Sequence, residues 1–457
     1  MTFPAEPYRI KVVEPLKITT PAERQAALEK AHYNIFSIPS EDVFVDLLTD
    51  SGTSAMSHYQ WAGLMTGDES YAGCRNWYHL EQTIKDITGY QYVLPTHQGR
   101  PAENILTMIH LRPGLAALSN MLFDTTHAHV EHKGGLPVNL VCNEGLQPEV
   151  EHPFKGNVDI DRLEAYIQRH GREQVGMILI TVTCNNNAGQ PVSMENLRQV
   201  RQVADKYGLP FYLDAARFAE NAYFIQQREP GYAKFTLKEI ARQMFSLADG
   251  CTMSSKKDGL VNIGGFLALN DETVFRKAQQ YLILLEGFLT YGGMAGRDLE
   301  ALAIGLTEVL DQNYMENRVR QVRLLGELLL EAGVPILQPV GGHCVMLDMK
   351  RFLPHIPQEQ FPAEAFTAAL YLDSGTRGVG LGQLAFGSEN PETGEIKHSP
   401  LEVVRLAIPR RVYTDNHMRL VAESVIRIYQ RRETLKGMRI AWAPPVLRHF
   451  TAHLAPL

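Results

Sequence analysis

Val175-Gly-Met-Ile-Leu-Ile-Thr-Val-Thr183 is an unbroken apolar, β-branched run, too short for a helix and flanked by polar turns. It reads as a strand buried on both faces. Working outward, Ser193–Tyr207 reads as a helix with Ser193 at its N-cap and Gly208 as its stop. Leu209–Leu213 is the next strand. This strand–helix–strand order predicts a mainly parallel sheet covered by helices, an α/β, doubly wound fold. Upstream, Tyr90–Pro95 reads as a strand and Pro101–Leu111 as the helix after it, with Pro101 at the first helical position. Downstream, Asp298–Ala332 reads as one long helical region. Beyond it, Val334–Leu337, Cys344–Leu347 and Val403–Ile408 read as strands, and Phe361–Ser374 and His417–Gln430 as helices. The expected organisation is a large domain over 57–311. Residues 1–56 and 312–457 then supply an N-terminal arm and a smaller α/β domain.

Bulk properties narrow the function. The chain has 457 residues, enough for two domains with sizeable cores. Its net charge of −7, without a long basic run, argues against nucleic acid as the main partner. No stretch approaches the roughly 18 apolar residues of a membrane span, and the N-terminus lacks a signal pattern. Five dispersed cysteines without a Cys-x-x-Cys pair point to a reducing, cytoplasmic setting.

The chemistry gathers where the strands end. Asp214 closes the strand before Ala-Ala-Arg217, and Gly250-Cys-Thr-Met-Ser-Ser-Lys-Lys-Asp-Gly259 carries a lysine pair after small hydroxyl residues. A lysine amine that can form a Schiff base, and an acid that keeps a pyridine nitrogen protonated, are what pyridoxal phosphate requires. Spacing alone does not choose between Lys256 and Lys257, and Asp214 could instead be a helix cap. Thr96-His-Gln-Gly-Arg-Pro-Ala-Glu103 reads as strand, turn and helix start. Gln98, Gly99 and Arg100 would receive a phosphate there, with Ser254 reaching in, although an ordinary turn reads the same way. Phe123 could stack on the cofactor ring or simply pack in the core. Arg405 follows a strand and could hold a substrate carboxylate, with Arg410 and Arg411 as competitors.

Two segments are set aside. His127-Ala-His-Val-Glu-His132 has metal-like density, with His127 and His129 on one strand face, but no partner set completes a zinc site. Gly378-Val-Gly-Leu-Gly382 mimics part of a dinucleotide loop without the expected helix, and reads as a flexible loop.

Long runs across essentially the whole chain resemble one family. They include Asp46-Leu-Leu-Thr-Asp-Ser-Gly-Thr53, Gly67-Asp-Glu-Ser-Tyr-Ala-Gly73, Pro95-Thr-His-Gln-Gly-Arg100, Gly189-Gln-Pro-Val-Ser193, Ala219-Glu-Asn-Ala-Tyr-Phe224 and Ile408-Pro-Arg. The chain resembles the β-eliminating lyases of aromatic amino acids, the tryptophanases and tyrosine phenol-lyases. The resemblance implies the type I fold of pyridoxal phosphate enzymes, similar to aspartate aminotransferase. It also implies a tetramer of two tight dimers and a requirement for a monovalent cation, usually potassium.

By the same resemblance, Lys257 is the Schiff-base lysine and Asp214 pairs with the pyridine nitrogen. Asn185 and Arg217 approach the cofactor's phenolic oxygen, and Phe123 stacks on its ring. Arg405, helped by Thr49 and Ser51, takes the substrate carboxylate. Tyr71, from a neighbouring subunit, is the general acid for the leaving group. Glu69, with the carbonyls of Gly52 and Asn262, matches the potassium site.

Four positions bear on the leaving group. Asp124 and Leu381 stand where the phenol-lyases hold a threonine and an arginine that recognise the phenol oxygen. His449, in Val446-Leu-Arg-His-Phe-Thr-Ala452, and Phe288 have the tryptophanase form. Together they imply L-tryptophan, released as indole with pyruvate and ammonium. Leu260-Val-Asn-Ile-Gly-Gly-Phe266 and Arg112-Pro-Gly-Leu-Ala-Ala-Leu118 resemble the phenol-lyase branch instead. Pro101, Asn186, Asn187, Leu289 and Gly380 match neither branch. Rival readings are cleavage of tyrosine or another β-substituted amino acid, an aminotransferase, and a non-catalytic scaffold. Retention of Lys257, Asp214, Arg217, Tyr71 and Arg405 speaks against the last.

Overall fold

The computed structural model describes residues 5–389, 396–444 and 447–457. Val446, which opens the run ending at Ala452, and the first four residues lie outside them. The described chain forms two units: residues 5–7, Ser51–Gly145 and His152–Val319, and Tyr8–Asp50 with Leu146–Glu151 and Arg320–Leu457.

The first unit is built on seven strands: β1 (Tyr92–Thr96), β2 (Ala116–Ser119), β3 (Leu136–Asn139), β4 (Val175–Thr181), β5 (Phe211–Asp214), β6 (Gly250–Ser254) and β7 (Gly265–Leu269). Their spatial order is β1-β7-β6-β5-β4-β2-β3. From β6 to β3 the strands run parallel, while β7 is antiparallel to both β1 and β6. The sheet is α/β and mainly parallel, as the alternation predicts.

After β2 the chain steps outward to β3, then returns to the other side of β2 as β4. The loops leaving β2 and β4 therefore part at their carboxyl ends, a switch point where α/β sheets open a crevice. Asn120 ties these two ends together. Its Nδ2 donates to the Thr181 carbonyl (3.0 Å), and its Oδ1 accepts from the Thr181 N–H (3.0 Å).

The helix after β4, Met194–Tyr207, forms where its sequence signals place it. The Ser193 side chain accepts from Asn196 N–H, and Gly208 adopts φ +63° to end it. Leu197, Val200 and Ala204 recur at helical spacing and are buried against the sheet. Burying a side chain such as Leu197 contributes about 1.5–3 kcal/mol.

The second unit carries a three-stranded antiparallel sheet. It has β8 (Cys344–Asp348) and β9 (Val379–Leu381) on either side of β10 (Val403–Ala407). Helices Pro362–Ser374 and Asp415–Gln430 supply Phe366, Leu370, Val421 and Val425 to its core.

Several local expectations are corrected. The segment containing Val379–Leu381 is a buried strand, not a flexible loop. Its glycine at 380 is steric: a Cβ there would stand 2.5 Å from Glu364 Oε1. His127–His132 is not a strand but part of helix Asp124–His132, which buries Thr126 and Val130 four residues apart. Helix Gly99–His110 starts two residues before Pro101, so the proline is its third residue. Asp298–Ala332 is divided into Gly296–Glu308 and Gln312–Glu331. Val334–Leu337 forms no strand; Ile336 makes only an isolated bridge to Leu347.

Candidate active site

In the first unit, the carboxyl ends of β2, β4, β5 and β6 gather most of the predicted cofactor residues. Lys257 follows β6 in a turn and is only 7% exposed. Its Nζ donates to Ser254 Oγ at 2.8 Å and lies 5.3 Å from the centre of the Phe123 ring. Lys256 goes elsewhere. Its Cε lies 2.6 Å from where a Cβ on Gly52 would stand, and its carbonyl accepts from Gly52 N–H at 2.7 Å. Only Lys257 shares the buried cluster with Ser254 and Phe123, which separates the two lysines as spacing could not.

Asp214 ends β5 and is 5% exposed. Burial first, then the charge of Glu103, pushes its carboxyl up to about 6, against the pull of Lys257. Arg217 is buried three residues on, and its N–H donates to the Val182 carbonyl at 3.2 Å. Asp258, directly after Lys257, is fully buried and its Oδ2 accepts from Ala219 N–H at 2.8 Å. It thus caps the helix Phe218–Arg228 that follows Arg217 and binds the lysine turn to it.

The predicted phosphate receiver is a helix start packed without spare room. Gln98 precedes helix Gly99–His110. A Cβ at Gly99 would meet Ser254 Cβ at 2.6 Å, and one at Gly265 would meet Gln98 backbone at 2.5 Å. Arg100 is exposed at this end, and its positive charge helps lower the pKa of Lys256, after burial.

Asn185 is buried in the turn after β4, and Asp124 opens helix Asp124–His132 after β2. Asn186 joins them. Its Oδ1 accepts from Asn185 Nδ2 (2.8 Å), and its Nδ2 donates to Asp124 Oδ1 (3.0 Å) and to the Leu122 carbonyl (2.9 Å).

Glu103 was not singled out from sequence, because an acid inside an amphipathic helix reads as solvated. It is buried, its carboxyl is raised by that burial, and Thr125 Oγ1 donates to it at 2.7 Å. The helical phase of Ala102, Ile105 and Leu106, all buried, was the available signal.

Other predicted residues of this unit lie outside the buried cluster. Tyr71 is 70% exposed and packs on Phe288 (5.8 Å between rings) and Tyr291 (5.2 Å). Asn262 Nδ2 donates to the Gly52 carbonyl at 2.8 Å, so these two residues adjoin, while Glu69 pairs with Arg297 at 3.7 Å. Ser51 opens the unit's segment Ser51–Gly145.

In the second unit, Arg405 sits in the middle of β10 and its Nη2 donates to the Leu48 carbonyl at 3.4 Å, one residue before Thr49. Its competitor Arg410 is buried against Asp50, with Nη1 to Oδ2 at 2.9 Å. That pairing makes Arg410 structural. Asp50→Ala would break this buried ion pair and is expected to cost about 3–5 kcal/mol, read as a lower urea midpoint. Leu381 ends β9, buried, and His449 is buried beside Phe450 (4.0 Å between rings). His449, Glu364, Gly380 and Asn34 line a small cavity of about 10 Å³.

Comparison with known proteins places this arrangement. The β-eliminating lyase family model matches residues 46–424. The chain belongs to the β-eliminating lyase family. It is 53% identical to a tyrosine phenol-lyase of Symbiobacterium sp. (strain SC-1) over 453 residues, covering 99% of each chain. It is also 53% identical to a tryptophanase of Salinibacter ruber over 451 residues, 99% of this chain and 95% of the relative. A tyrosine phenol-lyase of Clostridium tetani is 51% identical over 98% of both. Overall identity therefore does not separate the two branches. Among solved structures, a chain of a SepCysS–SepCysE N-terminal domain complex aligns with TM-score 0.56 at 15% identity, covering 86% of this chain and 96% of that one. At that identity the likeness speaks to the fold alone.

As a β-eliminating lyase the protein is an enzyme, and pyridoxal phosphate is the cofactor expected of it. The residues fit that group. A buried amine faces an aromatic ring, a buried carboxyl raised by burial awaits a cationic nitrogen, and Cβ-free contacts hold a helix N-terminus against Ser254.

Proposed function

We propose that this protein cleaves L-tryptophan, with water, to indole, pyruvate and ammonium. The carrying observation is Asp124, held at a helix N-terminus by Asn186 as a hydrogen-bond acceptor. An acceptor suits the N–H of indole and opposes the developing negative charge of a phenol leaving group. Leu381, buried and apolar, offers no donor to a phenol oxygen. The competing reading, phenol release from L-tyrosine, draws on the names of several relatives, but it needs the donors these positions lack.

Pyridoxal phosphate, when bound, supplies an aldehyde for the amine and a ring that draws electrons from the α-carbon. The N–H groups at Gly99 and Arg100, with Gln98 and Ser254, would take its phosphate. Phe123 would cover one face of its ring, and Asn185 and Arg217 would approach its phenolic oxygen. The Asp214 carboxylate would keep the pyridine nitrogen protonated.

The chain's own groups then handle protons and charge. Arg405, whose Nη2 meets the Leu48 carbonyl next to Thr49, would pair with the substrate carboxylate and fix the α-carbon. Lys257, released as a free amine, takes the α-proton. Tyr71 delivers a proton to indole C3, which makes that carbon tetrahedral and lets the bond to Cβ break. Phe288, packed on Tyr71, would border the same leaving group that Tyr71 serves. The exposure of Tyr71 on the single chain fits its donation to a neighbouring subunit within a homotetramer of paired dimers. The carbonyls of Gly52 and Asn262, with Glu69, would hold potassium through hard oxygen donors. No helix among the described residues is long and apolar enough to cross a membrane.

The test is paired turnover. The purified protein with pyridoxal phosphate and potassium receives L-tryptophan or L-tyrosine, and indole, phenol and pyruvate are followed. Indole with matching pyruvate is the expected result. Phenol as the main product overturns the tryptophan reading. Amino transfer to a keto acid without ring release overturns elimination.

A further inference from the structure

We infer that Asn186 is a positioning residue that sets leaving-group specificity, by locking Asp124 as a hydrogen-bond acceptor and tying it to the cofactor-side Asn185. The inference rests on the reading of Asp124 as the group that meets the substrate's ring.

The amide of Asn186 can stand only one way. Its two N–H groups meet two acceptors, the Leu122 carbonyl and Asp124 Oδ1. Its oxygen meets a donor, Asn185 Nδ2. Rotation by half a turn would set oxygen against two acceptors and amide against amide, losing all three bonds. The orientation of Asp124 is fixed in consequence. One carboxylate oxygen is occupied by Asn186, and the carboxylate retains acceptor capacity for a ring donor.

Helix Asp124–His132 adds to this. Asp124 is its first residue, so the bond from Asn186 is made at the helix N-terminus. Asn186 Nδ2 meets the Asp124 carboxyl oxygen at 3.0 Å and so fixes the acid at this helix start. The segments bridged are the loops leaving β2 and β4 at the switch point of the sheet. A single side chain in the β4 turn thus sets the geometry of an acid on the neighbouring loop, with no contact to the lysine turn needed.

Two variants separate this role from a structural one. Asn186→Ala removes the whole relay. Asn186→Asp keeps the shape and still accepts from Asn185, but replaces the donor to Asp124 with an oxygen. Pyruvate release is measured for wild type and both variants with L-tryptophan, L-tyrosine and S-methyl-L-cysteine, whose leaving group has no ring. For the aromatic substrate that wild type prefers, Asn186→Ala is expected to lower kcat/KM about tenfold and Asn186→Asp further, while S-methyl-L-cysteine changes by no more than about twofold. The cofactor absorbance and thermal midpoint should match wild type in both variants.

Equal falls for all substrates, or weaker cofactor binding, would show that Asn186 merely supports the turn and would overturn the inference. So would unchanged discrimination. A wild type that prefers L-tyrosine would sink the tryptophan reading alone, since the substrate ratio of the variants still reports on the relay. A wild type that processes only S-methyl-L-cysteine would remove the aromatic reading and this role with it.

Discussion

Lys257→Ala is expected to lose the visible absorbance of lysine-bound cofactor and to cut turnover by about three to four orders of magnitude, the scale of positioned acid–base groups. Lys256→Ala should keep the absorbance. The contrast follows from where each chain leads. Lys257 Nζ lies by Ser254 and over Phe123, in a buried cluster with Asp214. Lys256 runs along Gly52 and is only half-buried. Spectra of both variants reconstituted with pyridoxal phosphate decide the matter. Retention of the band in Lys257→Ala, with loss in Lys256→Ala, would reverse the assignment.

Asp214→Asn should have two effects of opposite sign. In the loaded enzyme, loss of the anion that faces the pyridine nitrogen should lower kcat by roughly 10²–10³, as for removal of one preorganised electrostatic group. In the apoprotein the same change should stabilise. The carboxyl of Asp214 is raised from 3.8 to about 6, so the folded chain holds a proton that the unfolded chain has released. Its contribution to stability is therefore absent at low pH, becomes unfavourable as pH rises from 3.8 to about 6, and stays unfavourable above. A shift of that size corresponds to roughly 3 kcal/mol. Asparagine has no charge to bury, so the thermal midpoint of apo Asp214→Asn at pH 7 should exceed that of wild type, with a flatter slope below pH 6. A lower midpoint across the range would show that the carboxylate is well solvated by its neighbours. Full activity would remove Asp214 from the cofactor site.

Much of the fold was legible because local signals agreed with tertiary demands. Val175–Thr181 has a β-branched run that suits a strand buried on both faces, and Ser193 and Gly208 mark the helix that follows. The failures have separate causes. The glycines around Val379 look like flexibility, whereas Gly380 is small because the Glu364 carboxyl fills the space beside it. The alternating histidines at 127 and 129 mimic a strand, yet Thr126 and Val130 carry the burial of a helix. In the site, Asp214 and the lysine pair were readable from residue type and order. Which lysine is buried was not, since that depends on Gly52, which lies far from both in sequence. Glu103 was hidden because one acid in a helix says nothing of what covers it.

The glycine contacts at 99 and 265 also bear on how such an enzyme can change over generations. Any side chain at either position would collide with backbone or with Ser254, so the cofactor end of the molecule has almost no room for drift. The Asn185–Asn187 turn has a different character: its middle residue is partly exposed and bonds outward to a neighbouring loop. Inherited variation would therefore accumulate where leaving groups are chosen and be purged where the coenzyme is held. A directed-evolution library seeking new leaving groups would accordingly place its diversity at 124 and 186 and leave 99 and 265 untouched.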